Sequence, residues 1–227
     1  MRFGRKRDDD VDDDDDDDLV SDQQGSGPWD LEEIPDLGNR VDLGALRVPL
    51  RPGMQIRMEM ERKTGRVVAV NLGVGASALQ VQAFAAPRSA GLWDELREEL
   101  AESIVKQGGS VEEQTGPFGA ELLARLPVRT TEGRSGSRPA RFIGVDGPRW
   151  FLRGVLTGEA VVKPEAAEPL EGVLADTVVV RGQEPRAPRD LLTLHVPGKP
   201  GQEVPAAATR PSIDLGSPRG PEITEMR

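Results

Sequence analysis

No cysteine occurs among the 227 residues. A disulfide framework, an iron–sulfur site, a thiol nucleophile and a cysteine-ligated zinc are thereby excluded. Histidine occurs once, as His195. A multi-histidine metal site cannot be built, and any Ser-His-Asp triad has to run through that residue. Tyrosine is absent, with three Trp and five Phe, too few aromatic faces for a stacking platform along single-stranded nucleic acid. No apolar run approaches the roughly 20 residues of a membrane-spanning helix. The start, Met1-Arg2-Phe3-Gly4-Arg5-Lys6-Arg7, runs straight into aspartates, so no secretory leader is expected. The expectation is a cytoplasmic, non-enzymatic protein with no membrane association, no cofactor and no metal.

Charge is present but unevenly placed. The formal net charge is −10, and residues 8–18 hold ten Asp and one Val. Residues 28–196 hold 21 Lys/Arg and 24 Asp/Glu, net −3. The acidity therefore belongs to an arm rather than to a folded surface. A block of like charge repels itself and buries nothing apolar, which predicts a disordered basic-then-acidic arm over 1–27. Such an arm serves as a solubilising tail or as bait for a basic partner at Asp8–Asp18. It lacks the glycine and terminal Glu of a calcium loop. After Val196 the chain is rich in Pro, Gly, Ala and Ser, so a second disordered tail is expected over 198–227. Residues 28–197 are left as one domain.

Within that domain, Met54, Ile56, Met58 and Met60 alternate with Gln55, Arg57, Glu59 and Glu61, the period of a half-buried strand. Arg62-Lys63-Thr64-Gly65 turns it back into Val67–Leu72, and a third strand follows over 78–86. Gly73-Val74-Gly75-Ala76-Ser77 falls between two strands, which makes it a hairpin connection rather than half of a dinucleotide fingerprint. Leu92, Leu96, Leu100 and Ile104 recur every four residues, widened by Trp93, Ala101 and Val105, and predict a helix over 92–107 stopped by Gly108-Gly109. Its carboxylates at 94, 98 and 102 share a solvated face.

Strands follow at Val111–Thr115, Leu122–Val128, Ala140–Val145 and Trp150–Thr157, with Thr130–Arg138 read as a flexible loop. Pro164 opens a shorter helix carrying Ala167, Leu170, Val173 and Leu174 on one side, and Thr177–Val180 suits a last strand. Consecutive strands joined by tight turns imply antiparallel pairing. The fold class is therefore α+β, with about seven or eight antiparallel strands and two main helices. The two strand blocks suggest a pseudo-repeat.

Several stretches carry a resemblance. They include Gly27-Pro28-Trp29-Asp30, Val41-Asp42-Leu43-Gly44-Ala45-Leu46, Gln82-Ala83-Phe84-Ala85-Ala86-Pro87 and Gly116-Pro117-Phe118-Gly119. To these add Asp146-Gly147-Pro148-Arg149-Trp150-Phe151-Leu152-Arg153-Gly154, Val180-Arg181-Gly182 and Ala187-Pro188-Arg189. With these the chain resembles an uncharacterised actinobacterial family catalogued as a domain of unknown function. The resemblance implies a cytoplasmic actinobacterial protein and no particular activity.

The segment Asp146–Arg153 holds the candidate site. Strand alternation puts Trp150, Leu152 and Leu156 on one face and Phe151, Arg153 and Val155 on the other. Arg153 is a charge in an otherwise apolar strand, and a buried guanidinium needs an anion or several acceptors. An internal carboxylate such as Asp146 or Glu121, or backbone carbonyls, would satisfy it structurally. A bound anion or an acidic partner segment, held with Arg149 or Arg141, would satisfy it functionally. Phe118, Arg141, Arg149, Trp150 and Arg153 are the candidate interaction residues, since Arg and aromatic side chains anchor protein interfaces. The reading that follows is a protein-interaction, adaptor or chaperone-like module. A nucleotide- or nucleic-acid-associated module is the alternative. It requires Arg141, Arg149, Arg153, Arg181, Arg186 and Arg189 to share one face, and the near-balanced domain charge opposes it. A carboxylate-and-arginine hydrolase requires two acids converging in a cleft.

Overall fold

The computed structural model describes residues 27–88, 91–129 and 135–197. The arm over 1–27 lies outside the described residues except for Gly27, and the 198–227 tail lies wholly outside them.

A seven-stranded antiparallel sheet forms the middle of the molecule. Its strands are β4 (Gln55–Met60), β5 (Val67–Val74), β6 (Ser77–Ala85), β7 (Ser110–Gly116), β8 (Gly119–Arg129), β9 (Ser135–Gly147) and β10 (Trp150–Gly158), in the order β4-β5-β6-β10-β9-β8-β7. The α+β class expected from the sequence is what the chain adopts. Three shorter strands escape the alternation argument because two to four residues carry no period: β1 (Trp29–Asp30), β2 (Arg40–Asp42) and β3 (Leu46–Pro49), while the last strand expected over Thr177–Val180 is β11 (Val178–Val179). They form a second sheet, β1-β11-β3-β2, in which β1 and β11 run parallel.

Helices α1 (Trp93–Lys106) and α2 (Pro164–Ala175) take opposite faces of the large sheet. Under α1 lie Leu122, Ala124, Ala140, Phe142 and Phe151. Under α2 and the small sheet lie Val70, Leu72, Leu79, Val81, Ile143, Leu152 and Leu156, met by Leu170, Val173 and Leu174 from α2 and by Leu46 and Val48 from β3. Strand alternation makes this division possible, sending Phe142 and Phe151 one way and Ile143 and Leu152 the other. Each meander is followed by a helix, yet the two helices cover different faces and different strands. The pseudo-repeat expected from element order is therefore absent.

Local details follow from close approach. Gly144 of β9 lies directly under the Trp93 ring, so any side chain there would overlap the indole. The α1 stripe is narrower than its sequence spacing implies. Trp93, Leu100 and Ile104 are buried, whereas Val105 is 56% exposed. Met60, at the outer end of β4 where the register shifts, is also exposed. The stretch read as a loop over 130–138 is shorter than expected. β9 begins at Ser135 opposite Arg129, and Pro139 pairs with Arg125 beyond the end of the β10 ladder, which reaches only Arg141 opposite Leu156. Proline is tolerated there because β9 has lost that neighbour.

The segment 189–195 closes the structure. Arg189 N donates to Ala85 O, Leu192 N to Ala83 O and His195 N to Leu43 O, while Leu194 bridges Gly44 and Val67. Leu192 and Leu194 are buried by this insertion.

A candidate anion-binding site at the β9–β10 turn

The distinctive Asp146–Gly154 stretch is, first, a device for holding three elements together. The Asp146 carboxylate reaches across to the start of α1, where Oδ1 accepts from Leu92 N at 2.6 Å and Oδ2 from Trp93 N at 3.1 Å. It satisfies two of the helix's free N–H groups from more than fifty residues away in sequence. Gly147 lies against the Trp150 ring, leaving no room for a side chain. Arg149 sits at φ 63°, a left-handed conformation uncommon for a residue with a side chain. Trp150 is 1% exposed, and its Nε1 donates to Asp30 Oδ2 at 2.7 Å. Trp150 is thus a core residue that ties β10 to β1, with none of its ring offered to a partner.

The five candidate residues do not form one patch. Arg141 and Arg153 point to opposite faces of the sheet. Arg141 faces α2, where its Nη2 pairs with Glu171 and its Nε lies 3.3 Å from Glu121 Oε2. Arg153 faces the other way, beside Gln82, its cross-strand neighbour on β6. Phe118, in the β7–β8 turn, is half-buried against the larger core cluster. Arg149 is half-buried at the β9–β10 turn, where it lines a surface hollow.

Neither Asp146 nor Glu121 partners Arg153, as both carboxylates are committed elsewhere. Its Nη2 donates to Gln82 Oε1, its guanidinium lies 5.6 Å from the centre of the Phe84 ring, and its buried Nε has no partner. Burial pushes this guanidinium below its ordinary range, and the charge of Glu59 opposes that only in part.

Arg149 has other company. Its carbonyl accepts from Arg181 Nε at 3.2 Å, and Arg181 Nη1 donates to the carbonyls of Gly182 and Glu184 at 3.3 and 2.8 Å. Arg181 is pushed below its ordinary range, first by burial and then by the neighbouring charges of Arg149 and Arg186. Arg186 has Glu184 at 3.3 Å. Among the described residues, Arg88, Arg149 and Arg181 have no carboxylate within ion-pair distance. Arg88 and Arg149 also line a surface hollow of about 590 Å³ with Pro87, Gly91, Asp146, Gly147 and Pro148. Like charges brought together at a loop, without compensation, are a mark of a binding surface.

This arrangement of the Gly-Pro-Arg turn, its capping aspartate and the Val180-Arg181-Gly182 stretch spans the domain that a family model recognises. The chain belongs to the DUF3710 family. That family, described as "Protein of unknown function (DUF3710)", matches residues 27–203. No curated protein matches the chain. A crystal structure from Bacteroides thetaiotaomicron VPI-5482 is similar at 14% identity and a TM-score of 0.35, over 60% of this chain and 46% of that one. The chain thus spans less than half the length of that neighbour.

The six arginines named for a nucleic-acid face are also divided. Arg149, Arg181 and Arg186 converge. Arg189 instead clamps α1, meeting Glu99 at 3.0 and 3.1 Å and Glu95 at 2.8 Å. Two acids do converge elsewhere. Glu121 and Glu171 share Arg141. Glu121 is fully buried, its Oε1 has no hydrogen-bond partner, and burial raises its pKa against the opposing pull of Arg141 and Gln114. The pair is bridged by a shared guanidinium, an arrangement suited to joining β8, β9 and α2. His195 packs its ring over Gly44, with Nε2 4.0 Å from Asp42 Oδ1.

Sequence reasoning missed Arg88 altogether, and it grouped Arg181 and Arg186 with arginines that lie elsewhere. The usable signal was the pairing of Gly-Pro-Arg with Arg-Gly as two turn motifs, each presenting an arginine.

Proposed function

We propose that the protein is a cytoplasmic, non-enzymatic interaction module that grips an acidic polypeptide segment through Arg149, Arg181, Arg186 and Arg88. One observation carries this reading: guanidinium groups converge at the β9–β10 turn with Glu184 as their only described carboxylate partner. An extended acidic segment supplies carboxylates in series, and arginine takes each as a paired, charge-assisted hydrogen bond. The neighbouring hollow is open to solvent, which suits the side chains of a docked segment rather than an enclosed small molecule. The sequence contains a single histidine and no cysteine, which agrees with a role in contact rather than turnover.

The test is fluorescence anisotropy of a labelled deca-aspartate peptide against the full chain at low salt. Binding should weaken at least tenfold in an Arg149→Asn/Arg181→Gln variant and fall with added salt. Asparagine tolerates the left-handed backbone at 149, and a thermal melt establishes that the variant remains folded. Equal binding by the folded variant would remove the proposal. A duplex or single-stranded oligonucleotide bound more tightly than the peptide would transfer the site to the nucleic-acid alternative.

A further inference from the structure

The acidic segment that fits this cluster is present in the same polypeptide. We infer that the aspartate run Asp8–Asp18 docks in cis on Arg149, Arg181 and Arg186, masking the site until a competing acidic partner displaces it. The inference rests on the reading of the cluster as an acidic-segment site and names its resident occupant.

Three observations support it. The first is charge complementarity: ten aspartates lie within eleven positions, and the turn brings Arg149, Arg181 and Arg186 together with Glu184 as the one carboxylate in ion-pair contact with them among the described residues. Several other cations of the domain are taken up. Arg51, Arg97, Arg141 and Arg189 are each already ion-paired, and Arg153 is shielded by Gln82 and Phe84.

The second is where the arm joins the fold. Gly27 lies against the Ala175 carbonyl at the end of α2. From there β1 runs parallel to β11, with Trp29 opposite Val178 and Asp30 opposite Val179. β11 leads directly into Val180 and Arg181, and Asp30 holds Trp150, the neighbour of Arg149. The arm therefore attaches at one end of the short ribbon whose other end carries the cluster.

The third is reach. Gly27 is level with the residue before Thr177, so Arg181 lies about 17 Å further along at ~3.3 Å per strand residue. The nine residues from Asp18 to Gly27 extend to about 30 Å. A fold-back onto the cluster is within that length. A tether this short holds the run at roughly millimolar effective concentration, enough for a weak charge-driven contact to persist at low salt.

The experiment uses the full chain. The absence of cysteine makes Val11→Cys a unique labelling position, and a nitroxide there broadens amide signals of nearby residues. Broadening is expected at 149–150 and 180–182, relieved by 0.5 M NaCl and by the Arg149→Asn/Arg181→Gln changes. In parallel, replacing every aspartate of Asp8–Asp18 by asparagine should raise the affinity for the labelled deca-aspartate peptide at least tenfold. Broadening that is absent, or that persists in the arginine variant, overturns cis docking. If the peptide still binds in that case, the acidic-segment reading stands and only its occupant is wrong. If neither the peptide nor the arm engages the cluster, both fall.

Discussion

The Trp150 indole donates its Nε1 hydrogen to the Asp30 carboxylate, 120 residues away in sequence and at 2.7 Å in the fold. That bond fastens the large sheet to the small one directly beneath the arginine cluster. Asp30 is nearly buried, and its other oxygen accepts from Glu32 N at 2.8 Å.

Removing one partner leaves a buried polar group without compensation, at about 1–3 kcal/mol. A double-mutant cycle of Trp150→Phe and Asp30→Ala should give a coupling energy of about 1–2 kcal/mol by urea unfolding. The cycle removes the cavity cost of the smaller ring from the comparison. A coupling below about 0.5 kcal/mol would show that the bond is incidental.

Asp146→Ala deprives α1 of its cap. The expected loss is about 1–2 kcal/mol, with an unchanged denaturant slope. Asp146→Asn retains an acceptor oxygen and should recover part of it. If the alanine variant is as stable as the parent, the carboxylate is not supporting the helix start.

Glu121 makes a pH prediction with a definite sign. Its folded pKa is raised, so the folded state holds its proton more tightly than the unfolded chain. Stability attached to this group is complete below the ordinary Glu value of about 4.3 and is lost as pH rises toward the raised value. Glu121→Gln should therefore be more stable than the parent near pH 7, and the advantage should shrink on acidification toward pH 4. Arg141→Met is the opposing control. It leaves Glu121 and Glu171 without their shared cation and should cost about 3–5 kcal/mol. A Glu121→Gln advantage that is flat across pH would refute the assignment.

Arg153 is a buried cation without a carboxylate partner, so Arg153→Met should be neutral or stabilising by about 1–2 kcal/mol in thermal or chemical unfolding. The methionine fills similar space beside Phe84 without the desolvation cost. A loss above about 2 kcal/mol would mean that the Gln82 contact and the aromatic face outweigh that cost.

The residues differ in how far their sequence context revealed their roles. Alternation along β10 correctly separated Trp150 from Arg153, and the four-residue recurrence of Leu92, Leu96, Leu100 and Ile104 correctly located α1. Both are local periodicities set by backbone geometry. That Trp150 is a core residue rather than an interface anchor was not recoverable, because its partner Asp30 lies on a two-residue strand with no pattern. Arg181 joins Arg149 through a backbone carbonyl, a contact that leaves no trace in spacing. Asp146 looked like a partner for Arg153 because they are near in sequence, yet its obligation is to the unpaired amides of Leu92 and Trp93.

The insertion of Leu192 and Leu194 beside β5 and β6 has a temporal consequence. A growing chain that has delivered β10 and α2 from the ribosome still exposes the seats these leucines fill against Ala83, Leu43 and Val67. Sealing of the interior waits until residue 194 is free of the ribosome, and until then the aliphatic seats of the two leucines stay open to water.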